Sequence, residues 1–144
     1  LQPIVEALDR MVEAQPAEIS ENLQLDILSD FASGALSLGE RGGHIKWLTK
    51  ALDARQRYLD RVDRTTDPSA WGSAQQEIGR ALTSLGEREG ARDKLEEGAA
   101  RLRLAMDALR STDSLQQAEV ALRALQRAEQ TLQQRRRVGL RWPG

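Results

Sequence analysis

The sequence predicts an all-α protein of about six helices, stacked as antiparallel hairpins. Residues that favour helix, such as Ala, Leu, Glu, Gln and Arg, are abundant, whereas the β-branched and aromatic residues that suit strands are scarce. Apolar residues recur at helical spacing, for example at Leu95, Ala99 and Leu102. The chain also repeats itself, because ALSLGERGG at 35–43 returns as ALTSLGEREG at 81–90. Helical composition and an internal repeat together predict a short solenoid.

Charge and cysteine content argue against several classes of function. The 144 residues include 21 Lys and Arg against 22 Asp and Glu, so we expect no general attraction to nucleic acid. There is no cysteine, hence no disulfide and no thiolate ligand, and His44 is the only histidine that a metal site could use. No apolar run approaches the ~20 residues of a membrane-spanning helix. We therefore expect a soluble, cytoplasmic protein that does not bind membranes.

Proline, glycine and aspartate divide the chain into helices. Asp67 is a natural N-cap with Pro68 in the first turn, and Gly39 and Gly86 are expected to end the helices that precede them. Gly39 and the pair at 42–43 are expected to give the backbone freedom that the first tight turn between helices needs. The sequence around Pro16 is expected to interrupt the first helix. The predicted helices are residues 1–15, a run reaching 38, 44–64, 68–85, 91–110 and a last helix, capped by Asp113 or Ser114, that reaches about 135.

The repeat defines the predicted domain organisation. LGER recurs after 47 residues, and the copies extend over whole helix pairs, which gives repeats at about 21–66 and 67–112. A partial third copy at 113–137 has Gln133 where the glycine stood, as expected of a terminal helix that closes the array. The domain is thus predicted to cover 1–137, with 138–144 as a tail or linker.

One segment carries a family resemblance. Residues 67–106, DPSAWGSAQQEIGRALTSLGEREGARDKLEEGAARLRLAM, resemble a tetratricopeptide repeat (TPR) of a long bacterial type. Trp71 begins the first helix of that pattern, Ile78 and Gly79 take its LG position, and Gly98 departs from its usual Ala. The period of about 46 exceeds the family's usual ~34, so longer helices are expected. Small residues such as Gly79 and Gly98 would let helices approach closely.

The resemblance implies a non-enzymatic module for protein–protein interaction. In this family the first helix of each repeat commonly lines a concave groove that receives a peptide or a partner helix. Here the polar stripe of those helices would supply the partner-binding residues, namely Asp30, Ser37, Ser73, Gln76, Arg80, Thr83 and Gln126. An ordinary solvated surface explains the same stripe, so both interpretations stay open.

The sequence offers no catalytic or cofactor-binding set. The glycine-containing segments ERGGH (40–44) and EREGAR (87–92) neither follow a strand nor precede GK[ST], so they are interpreted as turns rather than phosphate loops. Carboxylate neighbours such as Glu96 and Glu97 diverge around a helix. We therefore expect no enzyme activity, no cofactor and no metal. The arginines at 135–137 and Arg141, beside Trp142, suit a helix C-terminus better than a nucleic-acid site.

A second function class remains open. The chain could be a structural or regulatory helical domain of a larger protein, which packs on a neighbouring domain or self-associates. This alternative predicts exposed apolar residues at the ends of the stack.

Overall fold

The computed structural model describes residues 1–14 and 20–137, which form six helices. They are α1 (Gln2–Glu13), α2 (Glu21–Glu40), α3 (Lys46–Leu59), α4 (Pro68–Glu89), α5 (Arg92–Arg110) and α6 (Leu115–Arg137). The described residues contain no strand, so the predicted all-α class and number of helices are confirmed. None of the described helices combines the length and apolar character needed to span a membrane. The predicted break near Pro16 and the tail at 138–144 lie outside the described residues.

The helices pack as stacked hairpins in two layers. Each helix contacts the next along the chain, and α2 also contacts α4, which contacts α6, whereas α3 and α5 do not touch. Helices that meet across successive hairpins lie on the inside of the curve that such a stack describes. We call α2, α4 and α6 the inner layer, and α3 and α5 the outer layer. The arrangement is solenoid-like, as predicted.

Gly42 lies in the first hairpin turn, as predicted, whereas the helix ends were placed at the wrong glycines. Gly39 and Gly86 lie inside α2 and α4, so the expected ends of these helices were wrong. The residues with positive φ are Gly42 (90°) and Gly90 (63°). After each, the next backbone N–H bonds the carbonyl five residues back at 2.9 Å, which is the Schellman ending that only glycine adopts easily. Helix α2 therefore ends two residues, and α4 four residues, beyond the end that the sequence predicted.

The repeated LGER glycines allow close helix packing. A Cβ on Gly39 would overlap the side chain of Leu48, and one on Gly86 would lie 2.7 Å from Cγ of Leu95. Both leucines are fully buried and begin the helix that returns from the turn. The third copy has an exposed Gln133 at this position, and no described helix follows α6. Among the described residues, the glycine is thus present at the two positions that a returning helix contacts and absent at the third, where none is seen.

Small residues also set the crossing of α4 and α5, as predicted. A Cβ on Gly79 would lie 2.6 Å from Cγ of Leu102 and 3.0 Å from the carbonyl oxygen of Gly98. A Cβ on Gly98 would lie 2.8 Å from Oγ1 of Thr83 and 3.0 Å from the carbonyl oxygen of Gly79. The backbone that faces Gly98 therefore leaves no room for an alanine Cβ unless neighbouring atoms shift.

The connection from α3 to α4 is stabilised locally. Helix α3 ends at Leu59 rather than at the predicted residue 64. In the turn, Oδ1 of Asp63 accepts a hydrogen bond from the backbone N–H of Thr65 at 2.7 Å, which holds the pKa of Asp63 below its usual value. Asp67 then caps α4 as predicted, since its Oδ1 accepts from the N–H of Ala70 at 3.1 Å.

Helix α1 packs on the first hairpin. Val5 is fully buried and lies against Gly34 of α2, where a Cβ would come within 2.8 Å of a Val5 methyl carbon. Nζ of Lys50 in α3 bonds Oδ2 of Asp9 at 2.7 Å and lies 3.7 Å from Oε1 of Glu13. Packing of the buried Val5 and Val12 therefore holds both ends of α1, and the ion pair of Asp9 adds to it.

Candidate functional site

The inner layer carries an open groove with a volume of about 440 Å³. Helices α2, α3, α4 and α6 all contribute to it, and most of its side chains are polar. We call it the inner groove, and it is lined by Ser29, Ser33, Arg55, Tyr58, Ala70, Ser73, Gln76, Glu77, Arg80 and Gln117.

Arg55 provides the floor of the inner groove. It comes from α3 in the outer layer, and only 5% of its surface is exposed. Its Nη1 donates to Oγ of Ser29 at 3.0 Å, and its Nη2 donates to the carbonyl oxygen of Ser29 at 3.0 Å and to Oγ of Ser33 at 2.9 Å. Nη2 also forms an ion pair with Glu77, whose Oε1 accepts from Oγ of Ser33 at 2.8 Å. The ring of Tyr58 lies 4.9 Å from the guanidinium carbon.

This network fixes three helices relative to one another. A buried guanidinium is tolerated only when it is paired, and here its partners lie on α2 and α4. The equivalent position one repeat later, 47 residues on, is the fully buried Leu102. The polar floor is therefore specific to the first hairpin and its junction with the second.

A repeated ion pair joins successive inner helices. Nε of Arg80 donates to Oε2 of Glu40 at 3.1 Å, and Nη2 of Arg80 pairs with the other oxygen. One period later Arg127 binds Glu87 in the same bidentate manner, with distances of 2.9 and 2.6 Å. We call these two contacts the junction pairs. The glutamate of each LGER motif thus binds the arginine of the next inner helix.

A second depression of about 200 Å³ continues the inner groove along α4 and α6. Arg80 belongs to the walls of both, so the two form one polar surface. The depression is lined by Glu40, Arg80, Thr83, Ser84, Arg123, Ala124 and Arg127. Further contacts between α4 and α6 support this surface, including a hydrogen bond between Ser73 and Gln117 and one of 2.9 Å between Ser69 and Ser114.

The structure brings together three of the seven residues that the sequence singled out. Ser73, Gln76 and Arg80 all line the inner groove, and Nη1 of Arg80 donates to Oε1 of Gln76 at 3.4 Å. Thr83 borders the second depression, but it is buried against α5 and its Oγ1 donates to the carbonyl oxygen of Gly79 at 2.8 Å.

The other three predicted residues lie outside the lining. Asp30 is exposed and Ser37 is half-buried on α2, where Ser29 and Ser33 line the cavity instead. Gln126 is exposed and follows Gln117 by nine residues, which is about two and a half helical turns and puts it on the opposite side of α6.

Sequence reasoning missed Ser29, Ser33, Arg55, Tyr58, Glu77 and Gln117. The two serines are four residues apart, and Glu40 follows Ser33 by seven, so helical spacing could have placed all three on one face. Arg55 gave no such signal, because an arginine between apolar positions of an amphipathic helix normally reaches solvent.

The side chains that line the polar surface donate and accept hydrogen bonds. The described residues include no cluster of three or more His, Asp or Glu side chains placed to hold a metal ion. Nδ1 of His44 accepts from the N–H of Lys46 at 3.0 Å and so caps the start of α3. The basic segment of the tail, Arg141 and Trp142, lies outside the described residues.

Comparisons with protein-family models, with curated proteins and with solved structures found no match for this chain.

Proposed function

We propose that this protein is a non-enzymatic, TPR-like protein-interaction module that binds a peptide or a partner helix in the inner groove. The observation that carries the proposal is the groove itself, an open polar cavity of about 440 Å³ to which four helices contribute. A stacked-hairpin fold buries its apolar side chains between neighbours and offers an extended concave surface for binding. Serine, glutamine and arginine side chains there can bond the backbone and polar side chains of a bound segment.

Arg80 is the residue through which the proposal is best tested. It lines both parts of the polar surface, and about a quarter of its side chain is exposed although it pairs with Glu40. A simple reversal of its charge would also break the junction pair. Exchanging the two residues, Glu40→Arg with Arg80→Glu, keeps an ion pair between α2 and α4 but reverses the charges that a ligand meets.

The experiment is affinity capture from a lysate of the source organism, followed by mass spectrometry, with three forms of the protein. They are the wild type, the Glu40→Arg/Arg80→Glu exchange and a control exchange, Arg103→Glu/Glu129→Arg. The control reverses an exposed 2.9 Å ion pair between α5 and α6, away from the inner groove. A protein retained by the wild type and by the control, but not by the groove exchange, supports the proposal.

Retention of the same proteins by all three forms would contradict it, provided that circular dichroism shows equal helicity. Equal helicity matters because a misfolded variant would lose its partner for a trivial reason.

A second candidate function is packing on a neighbouring domain or on another copy. Leu1, just before α1, is exposed, and so are Ile4 (63%) and Met11, which lie about 100° around the helix from the buried Val5 and Val12. Light scattering tests self-association through these exposed residues. Concentration-dependent growth in mass that Ile4→Glu abolishes favours this candidate, and a monomer at all concentrations opposes self-association.

A further inference from the structure

The polar surface carries opposite charges at its two sides. Helix α2 contains Glu21, Asp26, Asp30 and Glu40 and no lysine or arginine. On the other side, α6 contributes Arg123 and Arg127 to the second depression. A ligand that crosses the inner layer therefore passes from an acidic helix to a basic one.

The charges in the middle are already neutralised. Glu77 pairs with Arg55, and the junction pairs occupy Arg80 and Arg127. A ligand charge placed there would have to displace a pair that two or more hydrogen bonds support. The centre of the surface therefore favours neutral hydrogen-bonding groups, which Ser73 and Gln76 also offer.

The charges at the sides are more accessible to a ligand. Asp26 and Asp30 are exposed and form no ion pair with any described residue, and Asp26 shares a helix face with Ser29 and Ser33 of the groove. Arg123 contacts Glu119 at 2.8 Å, but its side chain is 74% exposed. An exposed pair of this kind contributes about 0–1 kcal/mol, so a ligand carboxylate can replace it at little cost.

The spacing between the two sides sets the length of the ligand. Helices α2 and α6 lie on either side of α4, and packed helices are about 8–10 Å apart, so the acidic and basic sides are roughly 20 Å apart. An extended chain advances about 3.3 Å per residue, so about six residues cover that distance.

We propose that the inner groove recognises an extended peptide segment with a basic residue at one end and an acidic residue about six positions away. The basic residue lies against Asp26 and Asp30, the acidic residue lies against Arg123, and uncharged residues cross α4 between them. This inference rests on the proposed function, since it specifies the ligand of the same groove.

A second copy docked end to end is the less favoured occupant. The junction pairs repeat every 47 residues. One period after Glu87 stands Gln134, and one period before Arg80 stands Ser33. If a second copy continued the stack, Gln134 of one copy would therefore meet Ser33 of the next. Neither residue carries the charge that this contact needs.

The test uses a phage-displayed library of random 12-residue peptides, selected on the wild type, on Asp26→Lys/Asp30→Lys and on a control, Asp53→Lys/Asp107→Lys. The control adds the same charge at exposed positions of α3 and α5 in the outer layer. We expect peptides from the wild type and the control to share one order of basic and acidic residues. We expect peptides from the α2 variant to lose the basic end and keep the acidic end.

Fluorescence polarisation with one labelled wild-type peptide then measures affinity. We expect Asp26→Lys/Asp30→Lys and, separately, Arg123→Glu each to weaken binding about tenfold, which corresponds to about 1.4 kcal/mol. The control should bind as the wild type does.

The outcomes separate the two proposals. If no peptide is enriched, or if the Glu40→Arg/Arg80→Glu exchange and both charge reversals all leave binding unchanged, the inner groove is not a peptide site and both proposals fail. If the exchange weakens binding but the peptides have no fixed charge order, or if the exchange weakens binding and neither charge reversal does, only the inference about charge order is overturned.

Discussion

Glu40 and Arg80 form a bidentate ion pair between the first and second hairpins, and Glu87 and Arg127 repeat it between the second hairpin and α6. The repeat of LGER in the sequence therefore has two physical causes. Its glycine admits the returning helix, and its glutamate binds the next inner helix. Both act at the interfaces that a stack of hairpins has to form, which explains why glycine and glutamate recur together.

Reversal of one charge at a junction should destabilise the fold. Arg80→Glu places a second carboxylate beside Glu40, where both side chains are about a quarter exposed. Because such partly exposed pairs contribute modestly, we expect a loss of about 1–2 kcal/mol in the free energy of unfolding, measured with urea. The Glu40→Arg/Arg80→Glu exchange should recover most of that loss. If the exchange is no more stable than the single variant, the pair does not stabilise the junction.

Gly98→Ala should destabilise the protein although alanine favours helix. Helix propensity alone predicts a gain of about 1 kcal/mol. The new Cβ would, however, lie 3.0 Å from the carbonyl oxygen of Gly79 and 3.1 Å from the backbone nitrogen of Thr83, and overpacking of this kind costs about 1–3 kcal/mol. We therefore expect a lower urea midpoint.

The exposed Ala100 on the same helix supplies the control for that experiment. Ala100→Gly measures the intrinsic difference between the two residues in α5, about 1 kcal/mol. If Gly98→Ala stabilises the protein by that amount, the close crossing of α4 and α5 makes no contribution.

The sequence predicted the helices well because their periodicity reports burial along each element. It placed Gly42 in the first turn but wrongly ended α2 at Gly39, because the position of that end depends on which glycine faces the returning helix. A linear pattern contains no such information. For the same reason, the polar stripe predicted along α4 contained Ser73, Gln76 and Arg80, which line the groove. It could not include Arg55, because that side chain reaches the groove from α3 in the outer layer.

Loss of Arg55 should cost more than loss of a surface charge. Arg55→Met leaves Glu77, whose side chain is only 18% exposed, without its cation, and breaking a buried pair in this way costs about 3–5 kcal/mol. In Arg55→Met/Glu77→Gln no charge remains, so we expect recovery of about half of that loss. Urea unfolding of the wild type, both single variants and the double variant measures the coupling. Additive losses would show that the two residues do not depend on each other.

The attachment of α1 should weaken at alkaline pH. The hydrogen bond from Nζ of Lys50 to Asp9 raises the pKa of Lys50 above its ordinary value, although partial burial opposes the shift. A group whose pKa is raised by folding contributes stability that is fully present below its unfolded pKa and is lost as pH rises through its folded pKa. The contribution of this contact should therefore begin to fall near the ordinary lysine pKa of about 10.4 and be lost as pH rises through the raised pKa, and since Lys50 is about a third exposed it should not exceed about 1 kcal/mol.

Asp9→Asn supplies the reference for that pH dependence. The variant removes the main cause of the shift in the pKa of Lys50 and changes no other side chain. The difference between the urea midpoints of the two proteins should be constant from about pH 7 to 9 and shrink towards zero above about pH 10. A difference that persists unchanged at high pH would mean that Asp9 stabilises α1 by some contact other than the charge on Lys50.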